Sequence, residues 1–172
     1  MNRLGPYLLG PNDTDKNGIY TGDARELARR IPDESVDLIF TDPVYDRIDD
    51  YRWLAETAAR ILKPGGSVMA LCAHEYLDQV MKVMDASLKY HWICCLWQPG
   101  SSALLWKKRI MAKWKPMIWY VKSEPSQAIR WFMDGVVGEG TGSKIYHYWG
   151  QPIAWAYWIQ RTTTAERFHV VP

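Results

Sequence analysis

The sequence predicts an α/β fold, with a parallel sheet covered by helices on both faces. Two observations carry that expectation. From Gly18 to about Leu88, compact apolar runs alternate with stretches whose apolar residues recur at helical spacing, in the order strand, helix, strand, helix, strand, helix. Turn and capping residues fall between these stretches, where such an alternation needs them. The chain has 172 residues, 48% of them hydrophobic, so one domain with its own core is the default.

Residues 1–17 are rich in Gly, Pro, Asn and Asp and read as an arm or loop before a single domain over 18–172. Gly18-Ile19-Tyr20-Thr21 is a short strand. Asp23 with Glu26 three residues on has the form of a capping box, and Leu27, Ala28 and Ile31 give the next helix one apolar side before Pro32 ends it. Val36–Thr41 is a buried strand. Tyr51, Leu54, Ala58, Ile61 and Leu62 mark a helix from about Asp50, which Lys63-Pro64-Gly65-Gly66 stops. Ser67–Cys72 is the next strand, and Leu77, Val80, Met81, Met84 and Leu88 mark another helix. Tyr90–Trp97 and Lys115–Lys122 are strand-like, with a basic stretch between them. Pro152 opens a last helix to about Thr164, a position Pro favours, and Phe168-His169-Val170-Val171 begins another buried strand.

Composition narrows the function classes. The formal net charge of +2 excludes a histone-like polycation. No apolar run approaches the roughly 18 residues of a membrane span, so no membrane association is expected and the cytoplasm is the expected location. Cys72, Cys94 and Cys95 lie in apolar stretches without C-x-x-C spacing and read as free thiols in a reducing compartment. The four His residues show no ligand spacing, so no metal is expected. Ten Trp and ten Tyr stand beside three Phe, and such flat amphipathic rings serve cores and also surfaces that stack on bases.

The sharpest local signal is Thr41-Asp42-Pro43-Val44-Tyr45, directly after a buried strand. In open α/β sheets ligands bind at the carboxyl ends of strands. An acid, a Pro-stiffened backbone and an aromatic ring therefore emerge where a ligand would sit. A plain loop with a surface Tyr is the other reading of the same five residues.

Taken in order, Gly18–Ala24, Ile31–Tyr45, Arg60–Ser67, Lys115–Lys122 and His147-Tyr148-Trp149-Gly150-Gln151-Pro152 resemble the N4/N6 amino-group DNA methyltransferases. The class resembled carries its catalytic D-P-P-Y motif ahead of its glycine-rich cofactor motif. The likeness runs from about Gly18 to Val171. It implies a Rossmann-like sheet, S-adenosylmethionine as cofactor and double-stranded DNA as partner. It further implies that Asp42 and the Pro43 carbonyl accept the hydrogens of an exocyclic amino group, localising a lone pair that the ring otherwise delocalises. Tyr45 then stacks on the base, which must leave the duplex to be reached. Asp23 matches the family's cofactor-binding G-D, while also reading as a plain N-cap, and Gln151 and Pro152 open the helix whose counterpart lies beside the cofactor. Adenine N6 is favoured over cytosine N4, because the family's cytosine members often carry Ser where Asp42 stands.

Two departures from the pattern bear on function. Val44 replaces a second Pro, which restores a backbone N–H and frees φ. The family's D-P-F-x-G-x-G motif would follow Val171, where the sequence reaches Pro172. On that reading the chain is C-terminally truncated and its sheet incomplete. Gly18–Thr21 and Phe168–Val171 are then poorly anchored or aberrantly paired, and the cofactor pocket is half open unless another polypeptide or a second copy completes it. Gly138–Gly142 is glycine-rich but reads as a flexible loop. The alternative function is a catalytically silent DNA-binding remnant or accessory subunit, and RNA or small-molecule methylation is a third.

The stretch from Trp106 to Lys115 has two readings of its own. Lys107, Lys108, Arg109, Lys113 and Lys115, without an intervening acid, form either a solvated hairpin surface or, with Trp106 and Trp114 interleaved, a track for DNA phosphates and a displaced base. Residues 124–146 fall where the resembled class carries its target-recognition region, short in this chain.

Overall fold

The computed structural model describes residues 2–3, 20–99, 103–124, 133–138, 155, 157–159 and 170–171. The chain divides into two compact units, 1–32 and 33–172.

In the first unit, β1 (Asn2–Arg3) pairs antiparallel with β2 (Tyr20–Thr21). Helix α1 (Ala24–Ala28) is shorter than its apolar side predicts. Asp23 is its N-cap, but the side chain accepts from the Arg25 N–H at 2.7 Å, and the Glu26 N–H goes to the Asp23 carbonyl at 3.1 Å. The cap therefore forms without the expected Asp23–Glu26 box. Gly22 before it has φ +154°, a backbone that side chains rarely adopt.

The second unit is built on a six-stranded sheet. Its strands are β3 (Val36–Thr41), β4 (Leu62–Leu71), β5 (Lys89–Trp97), β8 (Trp114–Val121), β9 (Gly135–Val137) and β10 (Val170–Val171), in the order β10-β3-β4-β8-β5-β9. β10, β3 and β4 are parallel, as the alternating pattern predicts. β8 runs antiparallel to both neighbours, so the sheet is mixed. The physical reason is the connection. A hairpin of β6 (Ala103–Leu105) and β7 (Ile110–Ala112), rather than a crossover helix, separates β5 from β8. Val170 and Val171 pair in parallel with Leu38 and Ile39, beside β3 as the resemblance implies, and not aberrantly.

Each sheet face carries its own layer. Leu38, Met69, Leu71, Cys94, Leu96, Met117, Trp119 and Val121 form one buried cluster with Trp155 and Ile159, which lie on a helical segment. Alternation sends Val68, Ala70, Cys72, Ile118 and Tyr120 to the opposite face, all buried. There α2 (Ile48–Ile61) packs on α3 (Leu77–Met84), reached through a 3-10 turn, His74–Tyr76. The Tyr120 hydroxyl ties that face to α3, donating to Asp85 Oδ1 at 2.6 Å. β8 is buried from Pro116 through Val121, which is why Met117–Val121 reads as a continuous apolar run.

Lys63-Pro64-Gly65-Gly66 does more than stop α2. The strand assignment of β4 already begins at Leu62, and these residues thread between β3 and β8. Lys63 Nζ pairs with the Asp37 carboxylate of β3 at 2.8 Å, while the Gly65 N–H donates to the Lys122 carbonyl at 2.7 Å. Among the described residues no helix is long and apolar enough to cross a membrane.

Candidate active site

The parallel strands β3 and β4 end on the same side of the sheet, and antiparallel β8 begins there. Thr41 is in register with Ala70, and the Cys72 N–H donates to the Pro116 carbonyl at 3.1 Å. Asp42, Cys72 and Lys115 therefore gather at one end. This is the carboxyl-end location the sequence predicts for a ligand.

After Asp42 the chain turns, with the Arg47 N–H donating to the Val44 carbonyl at 3.1 Å, and enters α2, whose first turn holds Asp49 and Asp50 where the helix dipole favours acids. Tyr51 of α2 is fully buried and its hydroxyl donates to the Leu71 carbonyl at 2.8 Å, fastening the helix start to the end of β4. Within the turn, the Tyr45 hydroxyl donates to Asp42 Oδ1 at 2.8 Å. Asp42 is exposed, and the half-buried Tyr45 ring packs against the Trp155 cluster. Val44 is 55% exposed, so the residue that departs from the family's second Pro contributes little packing.

Lys115 enters this site from β8. Its Nζ stands over the Tyr45 ring, 5.3 Å from the centroid, and 5.9 Å from the centroid of Trp155. Burial pushes its ammonium below the usual lysine range, against the pull of the Asp42 charge. Burial, and then Asp42, push the Tyr45 phenol far up, so it stays protonated and donating. Burial likewise pushes the Cys72 thiol up to about 12, which leaves it inert as a nucleophile. Trp155 is 2% exposed and its Nε1 has no hydrogen-bond partner among the described residues.

The basic stretch divides. Lys107, Lys108 and Arg109 sit on the exposed turn between β6 and β7 beside Trp106, which is 75% exposed, and Arg109 has φ 56°. Lys113 is exposed just after the hairpin. Trp114 is half-buried with its ring against His74 at 4.6 Å, edge to face, and Lys115 turns to Tyr45. Asp23 is an exposed carboxylate in the first unit, held by the Arg25 N–H. Gln151, Pro152 and His147 lie outside the described residues, as do 139–142 and most of 124–146. Among the described residues no cluster has the makings of a metal site.

The sequence marks Tyr51 only as part of a helix face, and does not point to Trp155 or to the inward turn of Lys115. For Lys115 the signal was present. It shares its parity on β8 with Met117, Trp119 and Val121, which line the Trp155 face.

A family model described as a methyltransferase domain matches residues 10–70. The type II methyltransferase M.BamHI of Bacillus amyloliquefaciens is 28% identical over 112 aligned positions, covering 54% of this chain. The match spans a quarter of that relative's length. Among solved structures, the PvuII DNA methyltransferase, described as cytosine-N4-specific, matches with a TM-score of 0.73 at 18% identity, covering 89% of this chain and 72% of its own. The complex of M1.HpyAVI with SAM matches with a TM-score of 0.71 at 18% identity, covering 88% and 79%. The resemblance read from the motifs is thus borne out, and the fold is the α/β fold of these methyltransferases.

Proposed function

We propose that this chain carries the amino-group-binding site of a DNA methyltransferase that uses S-adenosylmethionine. The observation that carries the reading is the Asp42–Tyr45 pair at the carboxyl end of β3, a carboxylate and an aromatic ring joined by a 2.8 Å hydrogen bond. An exocyclic amino group offers two hydrogens and little nucleophilicity. The Asp42 carboxylate and the Pro43 carbonyl accept those hydrogens and draw the lone pair out of conjugation. Charge is thereby placed where the transition state needs it. Tyr45 stacks on the displaced base and holds its amino nitrogen over the acceptors.

The donor set present suits the cofactor in one respect. Asp23 is an exposed carboxylate at a glycine-opened turn, an acceptor for the polar edge of a nucleoside, and is proposed as a cofactor-binding residue. Gln151 and Pro152 are proposed for cofactor binding on the motif resemblance alone. S-adenosylmethionine, when bound, supplies a sulfonium methyl. Lys107, Lys108, Arg109, Lys113 and Trp114 are the proposed nucleic-acid residues, Lys115 being set apart from them by its turn to Tyr45, and 124–146 is the proposed target-recognition region. Asp42 favours adenine N6 as the acceptor over cytosine N4. The fold does not separate the two, since one structural neighbour is described as cytosine-N4-specific.

The test is methyl transfer from labelled S-adenosylmethionine to unmethylated genomic DNA, followed by nucleoside analysis of the product. If the chain transfers methyl groups, N6-methyladenine is the expected product, and Asp42→Ala should lower the rate by at least about 100-fold, the scale on which a charge-stabilising group is felt. Transfer by a folded Asp42→Ala protein at the wild-type rate would end the assignment.

A further inference from the structure

Resting on the reading that Tyr45 stacks a displaced base, we infer that Lys115 is a positioning residue. Its ammonium stands over the Tyr45 ring, and on this inference the base stacks on the opposite face. The Nζ stands 5.3 Å over that ring and 5.9 Å from Trp155, so two rings hold one cation. Lys115 is half-buried and makes no ion pair among the described residues. A lysine removed from water without a carboxylate in contact loses solvation that the two rings and the more distant Asp42 charge must offset.

Three restraints then fix the Tyr45 ring. Asp42 holds its hydroxyl, the ring packs against the apolar cluster around Trp155, and the Lys115 ammonium stands over it. A cation on one face draws π-density from the ring, which favours stacking of an electron-rich base on the other. The site is therefore set before a base arrives, and less ordering is needed when one does. The rival role, a direct contact between Lys115 and a DNA phosphate, makes the opposite prediction in a double-mutant cycle.

The probe is a short fluorescein-labelled single-stranded oligo(dA), whose bases are already unstacked from a duplex, so neither a recognition sequence nor methyl transfer is required. Affinities of the full chain are measured for the wild type, Tyr45→Ala, Lys115→Met and the double variant. Each single variant should weaken binding by about tenfold, the scale of one base–aromatic stack, and the double variant by no more than either alone. Lys115→Arg, which keeps a cation over the ring, should stay within about threefold of wild type. Lys115→Gln in the same cycle gives the answer if the Met variant does not fold. Equal loss from Lys115→Met in the wild-type and Tyr45→Ala backgrounds overturns the inference in favour of a phosphate contact, and no loss overturns it outright. Absence of wild-type binding overturns the stacking role of Tyr45 and Lys115 together. A chain that binds and shows the coupling but transfers no methyl group refutes the proposed reaction alone, whereas an active chain with an additive cycle refutes only the role of Lys115.

Discussion

Tyr45 donates its hydroxyl hydrogen to Oδ1 of Asp42, three residues earlier, so the stacking ring and the amino-group acceptor are locked to each other by one 2.8 Å bond. The two functions of Tyr45 can be separated on that account. Tyr45→Phe keeps the ring and removes the bond to Asp42. It should lower kcat by about three- to tenfold, the worth of one ordinary hydrogen bond, with KM for DNA little changed. Tyr45→Ala removes the ring and should raise KM by about tenfold. Steady-state methyl transfer measures both. Equal KM values for the Phe and Ala variants would show that the ring does not bind the base.

Alkaline pH should unfold the second unit earlier than its composition suggests. Burial raises the thiols of Cys72 and Cys94 from the ordinary 9.0 to about 12, and raises the phenols of Tyr45, Tyr51 and Tyr120 above their ordinary 10.0. In each case the fold keeps the protonated form and the unfolded chain releases the proton first. The stabilisation is full below pH 9 and is lost as pH climbs from 9 toward 12. The Tm should be level from pH 7 to 8.5 and fall by about 5–10 °C by pH 11. Cys94→Ala should flatten part of the decline. A level Tm to pH 11 would mean that water reaches these groups.

How much of this was readable beforehand follows from which forces are local. Val36–Thr41, Ser67–Leu71 and Met117–Val121 announce themselves because each is buried on both faces, and burial is written in the residues themselves. Asp42 and Tyr45 were readable because a strand end followed by an acid, a Pro and a ring is a local pattern. The direction of β8 was not, since a strand's residues do not say which way it runs, and only the β6–β7 hairpin before it decides. Nor was the place of Lys115, which sits in a run of cations that look alike in sequence. The hairpin register sends Lys107 and Lys108 to solvent and Lys115 to a ring 70 positions earlier in the chain. Gly66 reads as part of a helix stop for a related reason, because one of the atoms that crowd it, the Asp37 carbonyl oxygen, comes from β3.

Gly66 should accordingly tolerate no side chain. A Cβ there would lie 2.9 Å from the Lys63 carbonyl oxygen and 3.1 Å from that of Asp37, both backbone atoms that cannot swing away. The Asp37–Lys63 ion pair and the Lys122 N–H donated to the Gly66 carbonyl at 2.9 Å hold the same crossing together. Gly66→Ala should destabilise by about 1–3 kcal/mol, the cost of overpacking a filled site, and be seen as a lower denaturant midpoint with an unchanged slope. A stability equal to wild type would show that β3 and β4 can move apart at this point without loss.

The last expectation concerns the turn Trp106–Arg109. Lys107, Lys108 and Arg109 are exposed, none is ion-paired among the described residues, and the hairpin that carries them also exposes Leu104, Ile110 and Met111. A loop that places three cations and an exposed Trp in solvent gains nothing for the core, so its substitution should leave the Tm within about 2 °C of wild type, the usual limit for surface changes. Duplex DNA should respond differently. Each phosphate neutralised releases condensed counterions, and the slope of log K against log salt changes by about 0.9 per contact. Combined Lys107→Ala, Lys108→Ala and Arg109→Gln should therefore flatten that slope by roughly 2–3 and weaken binding evenly across sequences, because phosphates carry no base identity. Arg109 is changed to Gln rather than Gly because its φ of 56° closes the turn, and a glycine there would alter the backbone entropy as well as the charge. Binding measured between 50 and 200 mM salt decides the matter. An unchanged slope with weaker binding would move these residues from the phosphates to the bases, and an unchanged affinity would return the hairpin to a solvated surface.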